Sequence, residues 1–164
     1  MAAKNEVLAV RVKGKAIIGE RVFDAPRELV WQAWSDPDII TLWWGPRGFS
    51  TTTETMEMKP DGIWKFIMHG PDGHDYQNKV IYIEVRKPEL LVYRHAGEDE
   101  NEEPVRFHVT VNFDKHGRKT KLSMRMEFET IEELKKVEAD YRAIEGLEHT
   151  LERLGEYLLK NQKF

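Results

Sequence analysis

The 164-residue chain contains no cysteine. Disulfides, thiol nucleophiles and cysteine-ligated metals are thereby excluded, and the absence accords with a reducing compartment. No segment approaches the roughly 20 apolar residues that a membrane span needs. Residues 1–12 lack the continuous apolar core of an export signal, so a cytoplasmic protein is expected. An excess of positive charge is missing too: 25 Lys and Arg face 29 Asp and Glu, a formal charge of −4, which argues against nucleic acid as a partner. Ser35, Ser50 and Ser123 are the serines, none in a nucleophile elbow, and there is no glycine-rich phosphate loop and no zinc-protease motif. Nucleophilic catalysis is disfavoured, and no cofactor is expected.

What the chain has in excess is tryptophan in one place. Trp31, Trp34, Trp43 and Trp44 are four of its five, and so dense a cluster implies a shaped aromatic wall. The simplest reading is that they pack short helices against a sheet. Adjacent Trp43 and Trp44 on a helix point about 100° apart, so both cannot face one narrow core. At least one is therefore expected to be partly exposed or to line an opening, with Gly45 and Gly48 beside it free to move.

Residues 15–23 predict a first strand rich in β-branched side chains. A helix follows with Pro26 at its first position, and a second is capped by Asp36 and begun by Pro37. From Phe49 the pattern has period two: Met56 and Met58 share one face, as do Trp64, Phe66 and Met68. Further strands are predicted over 76–85, 90–95, 105–113 and 120–128, the last two joined by a hairpin turn at 114–117. Thr130 and Glu133 fit a capping box, and Leu147, Leu151, Leu154 and Leu158 make the apolar stripe of a long helix. Gly146 marks either a break in that helix or a close approach of the sheet.

These elements predict an α+β domain over residues 15–164, with residues 1–14 as an N-terminal extension. The expected architecture is a curved antiparallel sheet of about six or seven strands covered by the C-terminal helix, with two short helices after the first strand. Met56, Met58, Met68, Met124 and Met126 fall on inferred inward faces, and flexible thioethers suit an adaptable surface.

The segments Val22-Phe23-Asp24-Ala25-Pro26, Val30-Trp31-Gln32-Ala33-Trp34, Trp43-Trp44-Gly45-Pro46 and Pro60-x-Gly62-x-Trp64, with Pro71-Asp72-Gly73 and Glu145-Gly146-x-x-x-x-Leu151-x-x-Leu154, carry a resemblance. The chain resembles the START-like, or Bet v 1-like, superfamily, and within it bacterial proteins related to the C-terminal domain of the Hsp90 ATPase activator. The resemblance implies a helix-grip fold: a sheet wrapped around a long C-terminal helix. It spans residues 15–160 and brings no catalytic set with it. Two departures stand out. Asp61-Gly62 replaces the family's usual pair of glycines, and Leu147 stands where relatives carry tryptophan, which could enlarge the space beneath the helix.

Candidate ligand-binding residues are Trp43, Trp44, Met56, Met58, Trp64, Phe66, Met68, Phe107, Met124, Met126, Leu147 and Leu151 for the apolar lining, with Glu54, Tyr76 and His95 as polar groups to orient a ligand. Glu54 shares the face of Met56 and Met58 and would need Arg47, Arg94 or Arg125 as a partner; a bulge turning it outwards is equally compatible. His95 points inwards by alternation from Leu91 and Tyr93, where a satisfied histidine is the simpler reading and a general base the sharper one. His69 and His74 bracket a turn without the three or four converging ligands a metal needs. The acidic run at 98–103 reads as solvated. Three functions follow: binding of a small hydrophobic or aromatic molecule without chemistry, an Hsp90-type protein-interaction module, or a cyclase- or hydrolase-like enzyme. A monomer or weak dimer is expected.

Overall fold

The structure, a computed structural model, describes residues 6–96 and 107–161. Strands β1 (Glu6–Lys13) and β2 (Ala16–Phe23) lead into helices α1 (Arg27–Ser35) and α2 (Pro37–Trp43). Six strands follow: β3 (Ser50–Met56), β4 (Ile63–His69), β5 (Asp75–Arg86), β6 (Leu90–Ala96), β7 (Phe107–His116) and β8 (Lys119–Phe128). Helices α3 (Ile131–Tyr141) and α4 (Ala143–Lys160) complete the described chain. The acidic run at 98–103 lies outside the described residues.

All eight strands belong to one antiparallel sheet, ordered β1-β2-β8-β7-β6-β5-β4-β3. The strand count exceeds the expected six or seven because Glu6–Lys13, read as part of an extension, pairs with β2 from Val12↔Ile17 to Glu6↔Val22. Its lysine and arginine blur the alternation, as is usual on an edge strand.

The short helices start as their sequences dictate. The Asp36 carboxylate accepts from Asp38 N at 2.9 Å, with Pro37 in the first turn. Pro26 is itself the N-cap of α1, so the helix begins one residue later than expected, and its carbonyl accepts from Leu29 and Val30. The Thr130 hydroxyl caps α3 by accepting from Glu133 N at 3.1 Å. The predicted single C-terminal helix is two. The break falls not at Gly146 but at Arg142, whose φ of +50° is left-handed and ends α3.

Cross-strand register defines the face that the helices cover. One row runs Met56, Trp64, Val80, His95, Phe107, Phe128; the next runs Tyr82, Tyr93, Val109, Met126, Ile17; a third runs Leu91, Val111, Met124, Gly19. Helix α4 packs on β2 and β1 and against α1, α2 and α3. Its closest approach is at Gly19, where a Cβ would meet Leu147 Cδ2 at 2.9 Å and Leu151 Cδ1 at 3.3 Å. The sheet's approach therefore centres on Leu147 rather than on Gly146. Asp61 takes φ +67°, a conformation short polar side chains tolerate, so it serves where the family has glycine.

Candidate functional site

All five tryptophans join one edge-to-face network with the sheet. Trp31 meets Phe113 at 5.1 Å between centroids, Phe113 meets Trp34 at 6.0 Å, and Trp34 meets both Trp43 (5.1 Å) and Trp44 (5.5 Å). Trp44 continues to Trp64 at 5.0 Å and Phe66 at 6.1 Å, and Trp64 stacks on Phe66. The adjacent pair divides its labour. Trp43 is closed into the core, its indole N–H donating to Ala33 O at 3.0 Å, whereas Trp44 is only partly buried.

Beyond Trp44 the chain turns through residues 44–49, and α4 holds this loop in place. Arg153 Nη1 donates to the carbonyls of Gly45 (2.9 Å), Trp44 (3.1 Å), Pro46 (3.3 Å) and Phe49 (3.3 Å), and Nη2 to Leu42 O (3.3 Å). The carbonyls at the end of α2 have no intrahelical partners, and a cation there also opposes the helix dipole. Burial lowers the Arg153 pKa, helped by the charge of Arg47 and opposed by Glu156. On the outer side Arg47 pairs with Glu156 at 2.5 Å and Glu152 at 3.5 Å. Gly45, at φ +103°, lies so near Met68 that a Cβ would sit 3.1 Å from its methyl. Phe49 then reaches Tyr76, 6.0 Å between centroids, so Trp44, Met68, Phe49 and Tyr76 gather at this loop.

The remaining candidates spread over the covered face. Met124, Leu147 and Leu151 are buried, while Met56, Met58, Met126 and Phe107 are partly buried against the core. His95 stacks on Phe107 at 5.1 Å, and its Nε2 lies 2.9 Å from Asn78 Oδ1. Asn78 Nδ2 donates to Tyr76 O at 3.0 Å, which fixes the amide with its oxygen towards the imidazole. Since that oxygen can only accept, His95 Nε2 carries the proton and Nδ1 the lone pair.

Glu54 leaves the site. The register of β3 breaks between Thr53 and Thr55, and the bulge turns Glu54 to solvent, the second of the two alternatives its spacing allowed. His69 binds Asp75 and Thr52 at 2.8 Å each on the exposed surface, and among the described residues no group of three or more His, Cys, Asp or Glu could hold a metal.

Four residues that the sequence did not single out belong to this account: Arg153, Arg21, Tyr82 and Tyr93. Arg21 enters the covered face of β2, its guanidinium 5.6 Å from the Phe23 ring centroid, with its pKa lowered by burial against the charges of Glu152 and Glu156. Tyr82 and Tyr93 are cross-strand neighbours, 2% and 4% exposed, with rings 6.4 Å apart. Burial pushes both phenols far above their ordinary pKa.

This architecture carries a sequence signature over most of its length: residues 24–159 match the family described as Activator of Hsp90 ATPase homolog 1-like protein. The chain belongs to that family. Among solved structures, a protein from Arthrobacter aurescens is similar over 96% of this chain and 94% of its own, at 26% identity and a TM-score of 0.87. A Mycobacterium smegmatis protein (23% identity, TM-score 0.85) covers 95% of this chain and 99% of its own. The AHSA1 protein from Silicibacter pomeroyi (20% identity, TM-score 0.73) covers 90% and 99%. No curated protein is detectably similar to the chain. No described helix is long and apolar enough to cross a membrane.

Proposed function

We propose that the protein binds a small hydrophobic or aromatic molecule, without chemistry, between the covered face of the sheet and α4, with the loop at 44–49 as its mouth. One observation carries this reading. Met126 lies in a row between Val109 and Ile17, which are 1% and 0% exposed, yet it is itself only partly buried, and Phe107 in the next row is the same. An inward side chain that keeps accessible surface amid sealed neighbours borders a space, since interiors are otherwise close-packed. Its apolar lining with few polar groups suits a lipophilic ligand. In the cytoplasm, where we place it, such a protein would act as a carrier or sensor.

Protein purified natively from its host, analysed by mass spectrometry before and after denaturation, tests this directly. A stoichiometric released molecule is expected, and Met126→Trp, which fills the space, should abolish its retention. A space that stays closed to every lipophilic aromatic titrated against tryptophan fluorescence would refute the reading.

Membership in the Hsp90-activator family favours a second reading, a protein-interaction module. Failure to capture bacterial Hsp90 at micromolar concentration would exclude it. The enzyme reading loses ground on Glu54, which faces solvent.

A further inference from the structure

Buried polar groups in folded proteins are hydrogen-bonded, and each exception calls for an explanation. Tyr82 and Tyr93, with buried rings and polar tips, call for such an account. Their rings are shut into the core, but among the described residues neither hydroxyl has a hydrogen-bond partner. The side-chain atoms sealed from solvent without a partner include Arg21 Nε, Arg27 Nε and Trp34 Nε1; the phenol oxygens are not among them. The two hydroxyls therefore open onto space rather than ending against apolar side chains. Both tyrosines share the row of Met126, the residue that borders the proposed binding space, and the next row holds Phe107.

We propose that the ligand is an uncharged, largely apolar molecule with one oxygen acceptor, and that Tyr82 and Tyr93 hold that oxygen. This rests on the binding reading above and specifies its ligand. Two neutral phenols side by side can both donate to one carbonyl oxygen. The lining argues for lack of charge. Row neighbours Val109, Met126 and Ile17 are apolar, His95 in the adjacent row is engaged by Asn78 and stacked on Phe107, and Arg21 stands three strands and two rows from Tyr93, beyond the contact of Leu147 and Leu151 with Gly19. Burial is the main cause of the raised phenol pKa values, joined at Tyr93 by the neighbouring Tyr82. A carboxylate ligand would lie in this apolar setting without a counter-charge, at a high desolvation cost. A pure hydrocarbon would strand both hydroxyls.

The test uses three probes of nearly one shape on the full chain: 2-acetylnaphthalene, 2-ethylnaphthalene and 2-naphthoate, titrated by calorimetry and tryptophan fluorescence. The ketone is expected to bind at least about ten-fold more tightly than the hydrocarbon, the cost of leaving polar groups unpaired. Tyr82→Phe with Tyr93→Phe should erase that preference while leaving the affinity for 2-ethylnaphthalene within about two-fold, with each single variant intermediate. Equal binding of ketone and hydrocarbon to the wild type overturns the proposal, as does a preference that survives in the double variant or a naphthoate that outbinds the ketone. In those cases the binding reading stands. If no probe binds at all, the binding reading itself falls. Unfolding of the probe-free double variant supplies an independent check. Stability equal to or above wild type is expected, and a marked loss would give the hydroxyls a structural partner and overturn the assignment.

Discussion

The two buried phenols make alkaline pH a sharp probe of this core. In the unfolded chain a tyrosine ionises near its ordinary value of about 10. In the folded chain, burial holds Tyr82 and Tyr93 neutral well above that value. Above about pH 10 the folded state therefore binds more protons than the unfolded state, and stability falls as pH rises. Each such phenol removes about 1.4 kcal/mol at one pH unit above its unfolded value, so the pair removes about 2.8 kcal/mol near pH 11. Other groups titrate there too, so the informative quantity is the difference between wild type and Tyr82→Phe/Tyr93→Phe. Urea unfolding followed by tryptophan fluorescence should show the variant equal to or slightly above wild type near pH 8, where unpaired hydroxyls contribute nothing. By about pH 11 the variant should lead by a further 2–3 kcal/mol. Phenolate absorbance should show two of the five tyrosines ionising only as the protein unfolds. A difference that does not change with pH would mean that both phenols ionise in the folded protein, and that burial of their rings does not hold them neutral.

Arg153→Met keeps the aliphatic stem but removes the loop's carbonyl donors. Two well-placed charge-assisted bonds imply a loss of about 3 kcal/mol, or roughly 6–12 °C in Tm by calorimetry; a loss under about 1 kcal/mol would show that the loop holds itself. Gly19→Ala and Leu147→Ala should cost about 1–3 and 2–5 kcal/mol singly. Because the first adds a methyl where the second removes the clashing side chain, the double variant should fall short of their sum by at least about 1 kcal/mol; strict additivity in denaturant unfolding would refute the contact. Glu156, held below its ordinary pKa chiefly by Arg47, contributes stability above its unfolded value that fades as pH falls through the folded one. Glu156→Gln should therefore cost under about 1 kcal/mol at neutral pH, and the gap should close in acid and in high salt.

Where a side chain's role follows from its neighbours in sequence, it was legible. The alternation of Val109, Val111 and Phe113 against Leu122 and Met124 became the central hairpin, and Asp36 and Thr130 cap as their positions dictate. The adjacent tryptophans also split, Trp43 buried and Trp44 partly exposed, although Trp44 is the extended C-cap of α2 rather than a helical residue. Roles set by distant partners were not legible. Arg153 reads as a solvated charge until the loop it serves is brought beside it. Tyr82 precedes a bulge between Tyr82 and Glu84 that interrupts the period-two signal of β5, and Glu54 sits on a bulge of its own. The start of the sheet was missed because β1 is an edge with charged residues among its apolar ones.

The Arg153 contacts also fix when the mouth of the proposed site can exist. They join residues 104–111 positions apart, and the sheet likewise closes only when β2 meets β8. On a ribosome these tryptophans emerge about a hundred residues before Arg153, and their loop cannot be fastened until it follows. Contacts of such sequence separation form slowly, and the waiting apolar surface is open to chaperones and to misassembly. The aromatic wall is thus made well before it can be secured.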